Sequence, residues 1–267
     1  MKLSIIILNY KTRGLLKQCI RGIQEYTQGY SSELIVVDNA SHDGTREMMQ
    51  EEFPSVVFIE TKKNLGFGAG MNAGMNIAHG DYFLLLNTDI AILDDAIQRL
   101  VAYMDQHPRV GIAGPRLMNP DGSVQYSCYR FPSFFTALWR RSPFGKLSSV
   151  RHLLKTYVMA DFDHASSRPV DWILGACMIV RKEALQRVGM FDERFFLYVE
   201  DTDWCRRFWE QKWEVHYSAD AEIVHYHGRQ SAENPGISGI FSYATRVHIL
   251  SWMKYFLKYA GVPLPRK

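Results

Sequence analysis

The chain alternates short apolar runs with helix-like segments, and this alternation limits its possible folds more than any other feature. Four runs, at residues 3–8, 33–37, 56–60 and 82–86, have the length of buried strands. Between the first two, from Leu15 to Tyr26, apolar residues recur at helical spacing. Strands and helices in this order are typical of a parallel sheet covered by helices, so the sequence predicts an α/β fold.

The second half of the sequence is less regular. Residues 170–180 predict either a strand pair or one long bent strand, and residues 122–160 give no clear prediction. Further helices are expected over 45–52, 69–79, 94–104, 182–188 and 200–211, and further strands over 110–114 and 221–227.

Length and composition narrow the class of protein. The chain has 267 residues, of which 47% are apolar and 22% charged, as in an ordinary globular protein. Its four cysteines show no CxxC spacing, which argues against a disulfide scaffold or a zinc ribbon. No apolar run reaches the length of a signal-peptide core or a membrane span. We expect a cytoplasmic protein with one compact domain over 1–239, in halves 1–115 and 116–239, and a helical extension over 240–267.

Basic residues are concentrated in two stretches. Residues 122–160 contain six Lys or Arg, residues 234–267 contain five, and neither stretch contains an acid. Both stretches are also rich in aromatic residues. Such stretches suit phosphates or an anionic membrane surface, and they equally suit a solvated basic face.

Polar residues follow several of the predicted strands directly. In a parallel sheet the ligand lies beyond the carboxyl ends of the strands, so these side chains should converge on one crevice. They are Asn9, Tyr10, Asp38, Asn39, Asn87 and Asp89.

Two groups of residues suggest a metal site. Asn87-Thr88-Asp89 ends a strand, where the carboxylate could hold a cation that bridges two phosphates, although an aspartate here could simply cap a helix. His225 and His227 alternate on a predicted strand and therefore face the same side, so one of them could complete a site with Asp89. Two histidines beside a loop remain an equally good interpretation.

An acidic helix start follows an aromatic segment. Glu200, Asp201 and Asp203 would be favoured there by the helix dipole alone. The preceding Phe195, Phe196 and Tyr198 would place the carboxylates against apolar walls, where a raised pKa suits a general base. Glu200 and Asp203 share one helical face and Asp201 points elsewhere, so the acids can have separate roles.

The glycine-rich segment 64–72 matches a dinucleotide-binding pattern only superficially. It follows the third strand rather than the first, and seven residues separate Glu60 from Gly68. We interpret its glycines as allowing the backbone to approach a ligand or a neighbouring strand closely.

The order of these motifs resembles the inverting family 2 glycosyltransferases, in particular the bacterial rhamnosyltransferase-like branch. The resemblance covers roughly residues 3–231. It is carried by Ser-Ile-Ile-Ile-Leu-Asn-Tyr at 4–10, Val-Val-Asp-Asn-Ala-Ser-His-Asp-Gly-Thr at 36–45, the segment 64–72, Leu-Leu-Leu-Asn-Thr-Asp at 84–89, Gly175-Ala176, residues 189–193, residues 196–203 and Arg206.

The resemblance implies a GT-A fold: a mostly parallel nucleotide-binding sheet flanked by helices, with an acceptor-side part and the C-terminal helical extension. It implies a nucleoside diphosphate sugar donor and Mg²⁺ or Mn²⁺ held by Asp89 with His225 or His227. It implies donor contacts from Asn9, Tyr10, Asp38, Asn39, Asn64, Gly66, Asn72, Asn87, Thr88 and Asp89.

The resemblance also implies the chemistry. Asp201, paired with Glu200, would act as the base in one in-line displacement, and Trp172, Gly175 and Tyr198 would bind the acceptor. The expected donor is dTDP-rhamnose or a UDP-sugar, and the expected acceptor is a glycan or lipid-linked saccharide in surface polysaccharide synthesis. The alternatives are a degenerate nucleotide-sugar binding protein and, less favoured, a sugar nucleotidyltransferase; no nucleic-acid reader module is recognisable.

The acid-free segment 240–260 predicts a basic, aromatic helix. Arg246, Lys254 and Lys258 fall on one side, and the aromatic residues Phe241, His248, Trp252, Tyr255 and Tyr259 occupy another. The helix could lie in the inner face of the plasma membrane as a peripheral anchor, or it could pack its aromatic residues on the domain.

Overall fold

A ten-stranded mixed sheet forms the centre of the fold. The structure is a computed structural model and describes residues 1–139, 147–226 and 243–265. Successive residues of the first strand enter different cores: Ile5 and Ile7 pack in one cluster and Ile6 in the other. Both faces of the sheet are therefore buried, which explains why its strands read as continuous apolar runs.

The first half alternates strands and helices as expected. Strands β1, β2, β3 and β4 pair in parallel in the order β3-β2-β1-β4. The elements are β1 (Leu3–Asn9), α1 (Arg13–Tyr26), β2 (Ser32–Asp38), α2 (Thr45–Glu52), β3 (Val57–Glu60), α3 (Phe67–Met75) and β4 (Tyr82–Asn87).

The second half extends the sheet with mixed pairing, in the order β4-β11-β6-β12-β5. A separate two-stranded sheet is formed by β8 and β10. The elements are β5 (Ile90–Ile92), α4 (Ala96–Gln106), β6 (Val110–Met118), β7 (Val124–Gln125), β8 (Cys128–Tyr129), α5 (Phe134–Trp139), α6 (Ser148–Tyr157), β9 (Arg168–Pro169), β10 (Trp172–Ile173), β11 (Cys177–Arg181), α7 (Lys182–Val188), α8 (Glu200–Glu210), β12 (Glu214–His225) and α9 (Tyr243–Lys258).

Several predicted boundaries differ from the structure. Residues 170–180 form two strands that belong to different sheets, with β10 in the small sheet and β11 antiparallel to β4. The last strand, β12, starts at Glu214 rather than at 221, because residues 214–218 already pair with β6. Residues 215–219 are buried, and the strand packs against α4 and α8. The third helix, α3, covers Phe67–Met75 rather than 69–79.

The C-terminal helix α9 packs its aromatic side on the domain. Tyr255 is 1% exposed and lies in a small core with Phe195 and Val199. Lys258, from the basic side of the helix, also points inward and forms ion pairs with Asp192 and Asp203 of the domain. Within the described residues no helix is both long enough and apolar enough to cross a membrane.

Candidate active site

A cavity of about 280 Å³ lies between the end of β4 and the start of α8. Both sides of this cavity carry acidic residues. Eight predicted site residues line it: Asn87, Asp89, Trp172, Gly175, Tyr198, Glu200, Asp201 and His225. The geometry therefore brings the expected metal, base and acceptor residues into one space.

Asp201 is fixed at the first turn of α8 by backbone donors. Its Oδ1 accepts a hydrogen bond from the backbone N–H of Thr202 at 2.7 Å, and its Oδ2 accepts one from Gly175 at 3.1 Å. Burial raises the pKa of this carboxyl to about 6, although these N–H donors favour the charged form. Asp201 is thus oriented toward the cavity and can exchange a proton near neutral pH.

Glu200 is almost fully buried beside Asp201. Its Oε2 has no hydrogen-bond partner among the described residues, and burial followed by the charge of Asp201 raises its pKa well above the ordinary value. The free energy needed to ionise two adjacent buried carboxylates is much higher than that needed to ionise one of them. The neutral form of Glu200 is therefore favoured, which leaves the negative charge on Asp201.

The segment before α8 has an unusual backbone. Tyr198 and Val199 have φ values of 67° and 73°, which are rare for non-glycine residues and especially for a β-branched one. Beside it, the N–H of Phe67 donates to the carbonyl of Phe196 at 2.8 Å. Gly66 (φ 86°) is required for this approach, because a Cβ there would lie 2.1 Å from the Phe196 carbonyl oxygen. The glycine segment thus allows close approach to a loop at Gly66 and, as expected, to a strand at Gly70, where an added Cβ would lie 2.5 Å from Leu8 of β1.

Asp89 and His225 lie side by side in the wall of the cavity. His225 Nε2 lies 3.4 Å from Asp89 Oδ2, and Asp89 Oδ1 is buried without a hydrogen-bond partner among the described residues. His225 Nδ1 lies 2.7 Å from Oε1 of Gln125. An imidazole that donates from Nδ1 carries its lone pair on Nε2, so this pair offers one oxygen and one nitrogen donor to a divalent cation.

The histidine pair is only partly described. His227 lies outside the described residues, so His225 alone can be placed beside Asp89. In those parts of the chain that the structure describes, no group of three or more His, Cys, Asp or Glu could hold a metal ion. An Asp–His pair with an unpartnered oxygen nevertheless fits Mg²⁺ or Mn²⁺ when donor phosphates and water supply the remaining ligands.

A second pocket, of about 380 Å³, lies at the end of β2. Asp38, His42 and Arg46 are among the residues that line it. Asn9 is fully buried, and its amide donates to Asp38 Oδ1 at 2.6 Å, so Asn9 orients Asp38. Tyr10 is 43% exposed at the strand end.

The other residues expected to bind the sugar nucleotide form hydrogen bonds with neighbouring residues of the protein. Asn39 donates to Asn64 and to the carbonyl of Gly66, which ties the two loops together. Thr88 is hydrogen-bonded to Thr12.

Asn72 needs a correction. Its amide bonds the backbone of Phe191 in both directions and the carboxylate of Glu193. These contacts engage both polar atoms of the amide, so Asn72 links α3 to the residues after α7 instead of presenting a free group to a donor.

Aromatic side chains form the outer wall of the cavity. The Trp172 ring stacks on that of Tyr129 with centroids 4.3 Å apart, and Tyr157 lies beside both. The helix α9 adds His248 and Trp252, which sequence reasoning assigned to the helix but not to the site. The one feature of the sequence that could have indicated their role is their spacing of four residues, which places them on the same side of the helix. This spacing does not predict which part of the domain that side contacts.

The sequence is similar to those of known glycosyltransferases. The sequence matches the family described as "Glycosyl transferase family 2" over residues 4–188. It is 29% identical over 252 residues to the N-acetylglucosaminyl-diphospho-decaprenol L-rhamnosyltransferase of Mycobacterium tuberculosis, covering 87% of this chain and 78% of that protein. It is 24% identical to the rhamnosyltransferase WbbL of Escherichia coli K12, covering 95% of this chain and 92% of that protein.

A solved structure supports the fold. The mannosyltransferase PcManGT from Pyrobaculum calidifontis, in complex with GDP-Man and Mn²⁺, aligns with a TM-score of 0.60 at 18% identity. The alignment covers 86% of this chain but only 58% of that protein. The mixed sheet with its flanking helices is the GT-A fold. By its sequence and its fold, the chain belongs to glycosyltransferase family 2.

Proposed function

We propose that this chain is an inverting glycosyltransferase that moves a sugar from a nucleoside diphosphate sugar to an acceptor hydroxyl. The observation that carries the proposal is Asp201: a backbone-oriented carboxyl with a raised pKa that faces a cavity opposite Asp89 and His225. A base near neutral pH and a phosphate-side cation site are the two parts that such a displacement requires.

In the proposed step Asp201 accepts the proton of the acceptor hydroxyl as its oxygen attacks the anomeric carbon. The nucleoside diphosphate leaves from the opposite face, which inverts the configuration. Burial of Glu200 in its neutral form keeps the charge on Asp201. A divalent cation held by Asp89 and His225 would neutralise charge on the leaving diphosphate.

The donor end is proposed to bind at the second pocket. Asp38 would accept hydrogen bonds from the nucleobase, because Asn9 and Ser41 already fix its carboxylate there. The two rhamnosyltransferase relatives favour dTDP-rhamnose, and a UDP-sugar is the second choice. The alternative of a degenerate nucleotide-sugar binding protein would not need the buried acids Glu200 and Asp201, which oppose folding in their charged form.

The acceptor is proposed to be a saccharide, in particular one linked to a lipid through a diphosphate, as in the name of the mycobacterial relative. Trp172 and Tyr198 would receive its sugar rings at the cavity wall, with the N–H of Gly175 holding Asp201 in place. Surface polysaccharide synthesis is the process that such an acceptor suggests.

We also propose peripheral contact of α9 with an anionic membrane. The side of the helix that makes this contact differs from the basic and aromatic sides considered from the sequence. Three aliphatic side chains one turn apart face away from the domain: Leu250, Met253 and Leu257 are 53%, 54% and 74% exposed. Phe134 and Phe135 are 60% and 58% exposed, and Phe134 contacts Phe256 of α9. We call these five exposed side chains the apolar outer face. The acid-free sequence around them suits anionic lipid headgroups.

The proposed transfer is tested by measuring nucleoside diphosphate release from dTDP-, UDP- and GDP-sugars with Mn²⁺ or Mg²⁺, with and without a lipid-linked saccharide. We expect release that depends on acceptor and metal with one donor. Tight donor binding without turnover, for every donor and acceptor, would favour the degenerate binding protein instead.

A further inference from the structure

The C-terminal helix α9 contacts the segment that leads into the candidate base. Ser251 Oγ donates to the carbonyl of Leu197 at 2.8 Å, and Lys254 Nζ donates to that of Arg194 at 2.6 Å. The ring of His248 stacks on that of Tyr198 with centroids 4.5 Å apart. The helix therefore holds segment 192–199 along its length rather than at one end.

Lys258 connects the start of this segment to the first turn of α8. Its Nζ lies 2.7 Å from Asp192 and 2.6 Å from Oδ1 of Asp203, and the hydroxyl of Tyr259 donates to the same Oδ1 at 2.9 Å. Asp203 is fully buried and stands two residues after Asp201 in the first turn of α8. Asp203 Oδ2 also pairs with Arg207 at 3.0 Å, but Arg207 belongs to α8 itself. Lys258 and Tyr259 are partners of this buried carboxylate from another helix, so their contacts constrain where that turn can lie relative to α9.

The segment needs such a constraint because its backbone is strained. Non-glycine residues with positive φ, such as Tyr198 and Val199, are strained and persist only where the surroundings hold them. On one side Gly66 and Phe67 contact the segment, and on the other side α9 does. Without the α9 contacts, the strain can relax and move the carboxyl of Asp201 relative to the cavity.

We propose that Lys258 is a positioning residue for the base: through Asp192 and Asp203 it holds the first turn of α8 where Asp201 faces the cavity. Lys258 lies outside the residues that match the family, 4–188, so the family match does not assign this role. The effect of Lys258 on catalysis rests on the proposed function of Asp201. Its effect on the position of the first turn of α8 does not.

The test compares Lys258→Met with Lys258→Arg, which keeps a cation. Lys17→Met is the matched control, because Lys17 forms an ion pair with Glu52 at 2.7 Å on the helices of the first half. A displacement of a catalytic group by about 1 Å can lower the reaction rate about 10²-fold. We therefore expect kcat of Lys258→Met to fall roughly 10- to 100-fold, with little change in the KM for the donor. Lys258→Arg should recover most of this loss, and Tyr259→Phe should show a smaller loss in the same direction.

A second readout does not depend on turnover. Hydrogen exchange should become faster at the backbone amides of residues 195–203 in Lys258→Met, and stay unchanged there in Lys17→Met. If wild-type protein transfers no sugar, the proposed function fails while hydrogen exchange still tests the positioning. Unchanged exchange over 195–203, or a folded Lys258→Met with wild-type kcat, would overturn the positioning role.

Discussion

In the proposed donor half, β1 to β4, the predicted site residues stand at the ends of paired strands, whereas in the proposed catalytic half, β10 to α9, the proposed base is oriented by contacts between distant segments. Strand register alone places Asn9 opposite Asp38, and Leu8 opposite Asn87. Asp201 instead accepts a hydrogen bond from Gly175, the segment before it lies against Gly66, and Asp203 in the same helical turn is paired with Lys258, so the contacts come from three separate parts of the chain. We expect the catalytic half to be the more sensitive to single substitutions outside the cavity.

The largest effect should come from the base itself. Asp201→Asn keeps the shape of the side chain but removes its ability to accept a proton, so turnover should fall about 10²- to 10⁴-fold. Donor affinity, measured by calorimetry, should stay close to that of wild type because the donor half is untouched. Turnover above about a tenth of wild type would remove Asp201 from this role.

The next effect should come from the cation site, which lies where the two halves meet. Asp89→Ala should reduce turnover roughly 10²-fold, because the leaving diphosphate loses the cation that stabilises it. His225→Ala should raise the concentration of Mn²⁺ needed for half-maximal rate. His216→Ala is a suitable control for stability, since His216 is buried with Tyr103 and Glu214. Full turnover after EDTA treatment would contradict the metal assignment.

A glycine substitution tests the comparison between the halves directly. Gly66→Ala should destabilise the fold by at least about 1–2 kcal/mol from its positive φ alone, and it should lower kcat as the Phe196 segment moves. Gly22→Ala is the matched control: Gly22 lies inside α1 with no atom within 4 Å of an added Cβ, so the protein should keep its stability or gain slightly. Thermal unfolding and kcat measure both effects. Equal behaviour of the two variants would argue that the close approach at Gly66 is unimportant.

The smallest effect should come from the three residues of the apolar outer face that belong to α9. Replacing Leu250, Met253 and Leu257 together by Ser should reduce recovery with anionic vesicles in a flotation assay by several-fold. Turnover of a short water-soluble acceptor should be unchanged, since these side chains face away from the cavity. High salt should weaken binding of the wild type because it screens the attraction of the basic side chains to anionic lipid, which contributes about 1 kcal/mol per cation. Equal flotation of wild type and variant on anionic vesicles would rule out this surface.

Sequence reasoning predicted the donor half well for a physical reason. Periodicity reports which residues are buried in a strand, and the polar residue after each strand then marks the carboxyl edge of the sheet. The expected single crevice is divided there, since Asp38 and Asn87 line two different pockets. It could not predict that Asn72 would bond to Phe191, which lies 119 residues away. It also could not place Lys258 against Asp203, because a lysine at a helical position can face either water or a buried acid.

The same limit applies to the candidate site. The aromatic lead-in to Glu200 and Asp201 suggested a raised pKa, and the buried environment of these two acids agrees with that expectation. The positive φ values at Tyr198 and Val199 left no recognisable signal, since neither residue type favours that conformation. The strained backbone is visible only once the packing of Gly66 and α9 is known.

The central claim, that Asp201 is the base, is tested most directly by the pH dependence of kcat/KM, which reports the pKa values of the free enzyme. Because the protonated carboxyl cannot accept a proton, kcat/KM should fall as pH decreases through about 6, the raised pKa of Asp201, and reach a plateau above it. Repeating the profile at two temperatures separates a carboxyl from an imidazole, since only the ionisation of an imidazole shifts strongly with temperature. A temperature-independent midpoint near 6 is the predicted result. A kcat/KM that stays constant from well below this pH to above it, or a midpoint that shifts with temperature as an imidazole does, would contradict the account.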